Sequence, residues 1–208
     1  MNYKRALNQI YDFLTRSTAR IILDRSLKEL EPIFGQKTVL EIVGGRHSNR
    51  NYRPGSKEYV TLDKSAGTEP DLVADAVDMP FPDGSIDAIL CTETIEHVMD
   101  YQKLVGEIHR VLKDNGTCVL STRFLYKLHD EPGDYFRFTE WGLKYLFKDF
   151  REAAIKAMGN RFTVMWDLFF SVSGLPLRSI CILSPVFRAI FFWNDRDAPS
   201  GYLVTARK

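Results

Sequence analysis

The chain has little of what would hold a small extracellular scaffold together. Its 208 residues include three cysteines, Cys91, Cys118 and Cys181. They are odd in number and widely separated, which fits neither a disulfide framework nor the paired spacing of a zinc site. A reducing cytoplasm is the expected setting, and cysteines on strands are expected to pack in the core. An excess of one charge is also missing: 28 Lys and Arg stand against 27 Asp and Glu, a net charge of +1. No long-range field therefore gathers nucleic acid or an anionic membrane, and no nucleic-acid partner is expected. The start, MNYKRALNQIYDF, lacks the apolar run of a signal peptide. The most apolar stretch, Phe162 to Trp193, is broken by Asp167, Arg178 and Arg188, whereas a membrane span needs about 18 or more uninterrupted apolar residues. Internal repeats and low-complexity segments are absent. So is G-x-G-x-x-G, which weighs against a nicotinamide-dependent oxidoreductase.

A composition that is 45% hydrophobic and 12% aromatic can bury one sizeable core, so a single domain over 1–208 is expected. Leu7, Ile10, Tyr11, Leu14, Ile21, Ile22 and Leu27 have the spacing of a buried helical stripe ending before Pro32. They predict an N-terminal helical cap over 1–32. Five short β-branched runs follow, Thr38–Val43, Glu58–Leu62, Leu72–Ala74, Ile86–Thr92 and Thr117–Thr122. The first, fourth and fifth are apolar nearly throughout, as in parallel strands covered on both faces. Leu104, Val105, Ile108, Val111 and Leu112 line one face of a helix from Tyr101 to Lys113, which Asp-Asn-Gly stops. The fold class is α/β: a Rossmann-like, doubly wound, mostly parallel seven-stranded sheet with helices on both faces. The ligand-binding core is 37–150, an apolar helical insertion at 162–193 serves as acceptor-side or lid segment, and a closing strand occupies 201–208. In such sheets ligands bind beyond the carboxyl ends of the strands.

Candidate site residues fall there. Glu41-Ile-Val-Gly44-Gly45-Arg46-His47 is a glycine turn after strand one, where backbone can approach a ligand or merely reverse direction. Asp63 ends strand two, 22 positions after Glu41. A carboxylate about 20 residues on is placed to accept from ribose hydroxyls; otherwise it is a solvated loop aspartate. Asp75-Ala76, after strand three, can meet an adenine edge, or Asp75 can cap a helix.

Val39-Leu-Glu-Ile, Tyr59-Val-Thr-Leu-Asp63, Asp75-Ala-Val-Asp-Met-Pro-Phe-Pro-Asp-Gly-Ser-Ile-Asp87, Glu96-His97-Val and Ile108-His-Arg-Val-Leu-Lys-Asp-Asn-Gly together resemble the class I S-adenosylmethionine-dependent methyltransferases, of the type 11-like kind. The resemblance covers roughly residues 37 to 150. It implies S-adenosyl-L-methionine as cofactor, with Glu41, Gly44 and Gly45 facing its methionine part, Asp63 its ribose, Asp75 and Ala76 its adenine, and Thr92 its sulfonium, and with Lys64 also among the cofactor-binding residues. Where that family has three alternating glycines, this chain has Val43, Gly45 and His47. Arg46, His47 and Asn49 are candidate side-chain donors to the cofactor carboxylate.

The densest polar and aromatic cluster runs from Phe124 to Thr139 and contains His129, Asp130, Asp134 and Arg137. It is similar to a string in methyltransferase-like proteins of bacterial glycan biosynthesis, which implies a small-molecule, glycan or lipid-linked sugar acceptor. An oxygen acceptor benefits from a base, and His129, Asp130 and His97 are the catalytic candidates. The structural alternative is a loop pinned by Arg137 to Asp130 or Asp134, with Thr139 capping a helix from Glu140. No metal ligand set is read from the spacing. The aromatic segment 162–193 is expected either to pack over the sheet or to make peripheral contact with a lipid-linked acceptor at the inner face of a membrane. Methyl transfer to oxygen, less readily to nitrogen, is the expected activity. A catalytically silent binding or scaffold protein is the alternative, favoured by Val43 and His47.

Overall fold

A computed structural model describes residues 17–43, 54–173 and 193–208. Gly44, Gly45, Arg46, His47, Asn49, Cys181 and most of the 162–193 segment lie outside the described residues. Seven strands form one sheet: β1 (Thr38–Ile42), β2 (Glu58–Asp63), β3 (Leu72–Val73), β4 (Ile86–Thr92), β5 (Leu112–Arg123), β6 (Glu152–Met158) and β7 (Gly201–Arg207). Their spatial order is β3-β2-β1-β4-β5-β7-β6. Strands β1 to β5 pair in parallel, and β7 is antiparallel to both β5 and β6. The helices are α1 (Thr18–Glu29), α2 (Tyr101–Val111), α3 (Glu140–Leu146) and α4 (Arg161–Ser173).

Side chains alternate along the strands, and the two faces of the sheet sort accordingly. Leu40, Ile42, Ile89, Cys91, Cys118, Leu120 and Val204 form one core with Leu104, Ile108 and Val111 of α2 and Leu143 of α3. Val39, Ala88, Leu90, Val119 and Leu203 point the other way and pack against Ile22, Leu23 and Leu27 of α1. Near-continuous apolar strands and the α2 stripe are the physical basis of the doubly wound arrangement. The Ser17 hydroxyl caps α1 by accepting from Arg20 N–H. The Asp167 carboxylate, reaching across from α4, accepts from the N–H groups of Thr18 and Ala19 at 2.8 and 2.9 Å. The charge that interrupts the apolar segment is therefore a buried cap for another helix.

Three features depart from the pattern-based reading. Strand β6 was not foreseen: EAAIKAM has weak strand propensity, and it survives as an edge strand because β7 supplies its hydrogen bonds. As a result β7 lies between β5 and β6 instead of closing the edge. The helix from Tyr101 ends at Val111, not Lys113, and Leu112 already pairs with Ile86. Lys113–Gly116 bulges out before pairing resumes at Thr117 with Ala88, with Asn115 in the left-handed region at φ 64°. No described helix is long and apolar enough to cross a membrane.

Two glycines test the packing. A Cβ at Gly201 would collide with the Thr122 carbonyl of β5, whereas one at Gly106, mid-α2, meets nothing within 4 Å. Gly201→Ala is expected to destabilise by about 1–3 kcal/mol through overpacking, and Gly106→Ala to stabilise by up to about 1 kcal/mol through helix propensity. Urea denaturation midpoints at unchanged m-value check both.

Candidate functional site

Strand β1 pairs with β2 on one side and β4 on the other, so the strand order reverses at β1/β4. This is where an open α/β sheet presents a crevice beyond its carboxyl ends. A cavity of about 590 Å³ lies there, lined by Ile42 at the end of β1 and Val43 after it, Leu62 to Lys64 at the end of β2, Asp75 to Val77 after β3, and Thr94 and His97 to Asp100 after β4. Asp130, Glu131, Gly133 and Tyr135 form the remaining wall. Pockets for small molecules are about 300–1,000 Å³.

Asp63 is 5% exposed. Its Oδ1 accepts from Ser65 N–H at 2.9 Å and its Oδ2 from the Thr68 hydroxyl at 2.7 Å. These contacts set the carboxylate's orientation and leave acceptor capacity on each oxygen. It is an oriented acceptor and not a solvated loop residue. Asp75 receives both the Val77 N–H at 3.2 Å and the exposed Lys64 ammonium at 2.7 Å. The Lys64 hydrogen bond holds the Asp75 carboxyl below its usual range and raises Lys64 in turn. No helix begins at Asp75; it closes a local turn and stands in the cavity wall with Ala76 beside it.

Two sequence candidates stand elsewhere. Glu41 is 4% exposed and accepts from the Tyr59 hydroxyl at 2.9 Å; neither it nor buried Thr92 is among the residues lining this cavity. Thr94 is, and its hydroxyl lies 3.0 Å from the Thr92 carbonyl and 3.3 Å from that of Ile42, at the β1/β4 divergence. The sequence reading missed it because a threonine after a strand has no distinctive pattern.

The 3-10 turn Ile95–His97 after β4 joins the Phe124–Thr139 loop to the sheet. The Glu96 carbonyl accepts from the N–H groups of Tyr135 and Phe136 at 2.9 and 3.2 Å. His97 Nδ1 lies 2.7 Å from the Gly133 carbonyl, and His129 Nδ1 lies 3.0 Å from Asp134 Oδ2. Since a carbonyl or carboxylate can only accept, both rings carry their proton on Nδ1 and leave Nε2 as a lone-pair nitrogen in the neutral ring. The rings meet edge-on at 4.8 Å between centroids. His97 lines the cavity, and His129 stands against it without itself being in the lining. Burial, outweighing the pull of Asp134, lowers the His129 pKa below its usual value.

Arg137 donates to both oxygens of Asp134 at 2.5 and 2.6 Å, so the pinning partner is Asp134, and Asp130 lines the cavity in a left-handed turn at φ 54°. Burial acts to raise the Asp134 carboxyl, but Arg137 and the His129 N–H outweigh it and hold it at about 2. The Thr139 hydroxyl caps α3 by accepting from Gly142 N–H at 3.1 Å. His109, on α2, packs edge-on against Phe150, away from this cluster.

Beneath the loop lies a buried charge group. Glu93 pairs with Arg20 at 3.1 Å and with Arg123. Burial acts to raise Glu93, but Arg123 and Arg20 outweigh it. Glu96 is fully buried. Its Oε1 accepts from Arg123 N–H at 3.3 Å, and its Oε2 has no partner. Burial and the Glu93 charge push its carboxyl above the usual range. Glu96 was read only as part of a motif, since nothing in its spacing reports burial.

Residues 54–120 match a family described as a methyltransferase domain. An uncharacterized methyltransferase from Mycobacterium sp. (strain KMS) is 30% identical over 130 residues, covering 54% of this chain and 49% of that protein. The chain spans less than half the length of the curated relatives it matches. Among solved structures, an S-adenosylmethionine-dependent methyltransferase from Archaeoglobus fulgidus aligns with a TM-score of 0.60 over 100% of both chains at 15% identity. Another from Thermotoga maritima aligns with a TM-score of 0.62 over 99% of this chain and 94% of its own at 16% identity. The match from Pro54 to Leu120 is thus to a methyltransferase domain, and the chain shares its fold with the solved S-adenosylmethionine-dependent methyltransferases it aligns with.

Proposed function

We propose that the protein transfers a methyl group from S-adenosylmethionine to an oxygen, less readily a nitrogen, of a small-molecule or glycan-type acceptor. The observation that carries this reading is the convergence of Asp63, Asp75 and Ala76, from two neighbouring strand ends, on the cavity at the sheet's switch point. The residues present fit the cofactor. Asp63 offers fixed acceptor oxygens to a ribose diol, Asp75 and the Ala76 backbone suit an adenine edge, and Ile42, Val43 and Leu62 supply apolar wall. Gly44 and Gly45 are assigned to the methionine end by the family resemblance. When bound, S-adenosylmethionine supplies an electrophilic methyl group carried on a sulfonium.

The chain's own work is positioning and proton handling. Holding an acceptor oxygen in line beside the cofactor supplies much of the acceleration such a reaction needs. His97 lines the acceptor wall and His129 packs edge-on against it, with Asp134 fixing the tautomer of His129, so these imidazoles are placed to assist loss of the acceptor proton. Asp130, also in that wall, is the second candidate. Exposed Tyr135 in the wall, and Phe162, Met165 and Phe169 exposed on α4, support an acceptor with apolar surface, such as a lipid-linked sugar met at a membrane face. A cytoplasmic location agrees with this reading.

Calorimetric titration with S-adenosylhomocysteine is expected to show one site, with NAD giving no heat. Asp63→Asn should weaken binding about 10- to 100-fold, the equivalent of one charged hydrogen bond of roughly 1.5–3 kcal/mol. An intact fold that binds neither sulfur cofactor would overturn the proposal and leave a scaffold role. With a panel of sugar and lipid-linked acceptors, His129→Ala should lower turnover about 10²- to 10⁴-fold while S-adenosylhomocysteine affinity stays unchanged; retained turnover would remove His129 from the chemistry.

A further inference from the structure

Proton acceptance uses one imidazole lone pair at a time, yet His97 in the wall has two further groups with ligand atoms gathered about it, those of Glu96 and His129. We propose that Glu96, His97 and His129 form a binding site for a first-row divalent transition cation, of which zinc(II) is the type, adjoining the cavity through His97. One donor atom from each residue lies within 4.8 Å of the other two. Neighbouring ligand atoms around such a cation, with bonds of about 2.0–2.1 Å, stand about 3.0–3.4 Å apart. Ligation therefore draws the group inward by about 1–2 Å.

Three further observations point to a cation. The Glu96 Oε2 atom is buried and has no hydrogen-bond partner. A buried carboxylate oxygen without a donor is a costly arrangement that a bound cation relieves. The nearby guanidinium groups do not relieve it: Arg20 and Arg123 pair with Glu93, and Arg137 with Asp134. Finally, each ring's Nδ1–H is already held by an acceptor, His97 by the Gly133 carbonyl and His129 by the Asp134 carboxylate. Outer partners of this kind orient metal-bound histidines and select Nε2 as the ligand atom. Two imidazoles and one carboxylate favour zinc, cobalt, iron or manganese over magnesium and calcium, which take oxygen ligands. With three protein ligands the cation keeps open positions, as catalytic sites do, where an acceptor hydroxyl can bind and lose its proton more readily. The site itself is independent of methyl transfer.

Full-length protein freed of metal with a chelator, then dialysed, is titrated with Zn²⁺ and with Mg²⁺ by calorimetry, and with Co²⁺ by visible absorption. One Zn²⁺ per chain and cobalt ligand-field bands are expected, with a rise in Tm of about 5–10 °C at roughly 100-fold excess over Kd. His129→Ala and Glu96→Gln should weaken Zn²⁺ binding at least 100-fold. Asp134→Asn, which of the three ligands touches only His129 and otherwise holds Arg137, should weaken it about 10- to 100-fold, and His109→Ala on α2 should leave it unchanged. If Glu96→Gln misfolds by near-ultraviolet circular dichroism, His129→Ala alone decides. Zn²⁺ binding equal in wild type and His129→Ala, lost equally in His109→Ala, or matched by Mg²⁺, would overturn the site. S-adenosylhomocysteine titrated in parallel separates the two proposals: cofactor binding without Zn²⁺ affinity removes only the metal site, and the reverse removes only the methyltransferase reading.

Discussion

Parallel pairing of Val39–Ile42 with Ala88–Cys91 is the constraint on which the rest of the molecule depends. The chain leaves β1 toward one edge of the sheet and reaches β4 only after β2 and β3 have been laid down on the far side. Connections from β1 and β4 must then diverge, and a crevice opens between them. Thr94, whose hydroxyl reaches carbonyls of both strands, sits in the fork. The apolar stretches Val39–Leu40 of β1, Ala88–Cys91 of β4 and Cys118–Leu120 of β5 are fully buried and allow a central position with helices on both faces. The antiparallel β7 adds a second edge, with β6 outside it, without disturbing the parallel half that forms the cavity.

A second level of organisation is electrostatic. Glu93, Glu96, Arg20 and Arg123 bring four charges beneath the acceptor wall, and the matching is incomplete. Both guanidinium groups serve Glu93, while Glu96 keeps a bare oxygen. The Glu96 backbone also fastens the loop, taking the amides of Tyr135 and Phe136. One residue thus anchors the acceptor loop by its main chain and stores an unmet interaction in its side chain. Unsatisfied groups of this kind persist where the surrounding structure over-determines them, and they gather at functional sites.

Much of the fold was legible because it rests on periodicity and turn chemistry. Five strand runs, the α2 stripe and Thr139 as a cap are local patterns with local physical causes. β6 was not legible, since EAAIKAM becomes a strand only through its partner β7. The cofactor-side candidates Asp63 and Asp75 could be read from position after a strand. The status of Glu41, which turns to Tyr59 on the opposite face from Leu40 and Ile42, follows from strand alternation only once the faces are known.

The sequence by itself determined the α/β layering and the position of Asp63 and Asp75 just at or after strand ends, because strand and helix periods are properties of neighbouring residues. Only the tertiary structure decided that His97 and His129 meet edge-on, that Asp134 and not Asp130 holds Arg137, and that Glu96 is buried with a free oxygen. The first joins residues 32 positions apart, the second turns on the path of the loop backbone, and the third depends on what covers a side chain. Burial and long-range contact are set by packing, which no local spacing encodes.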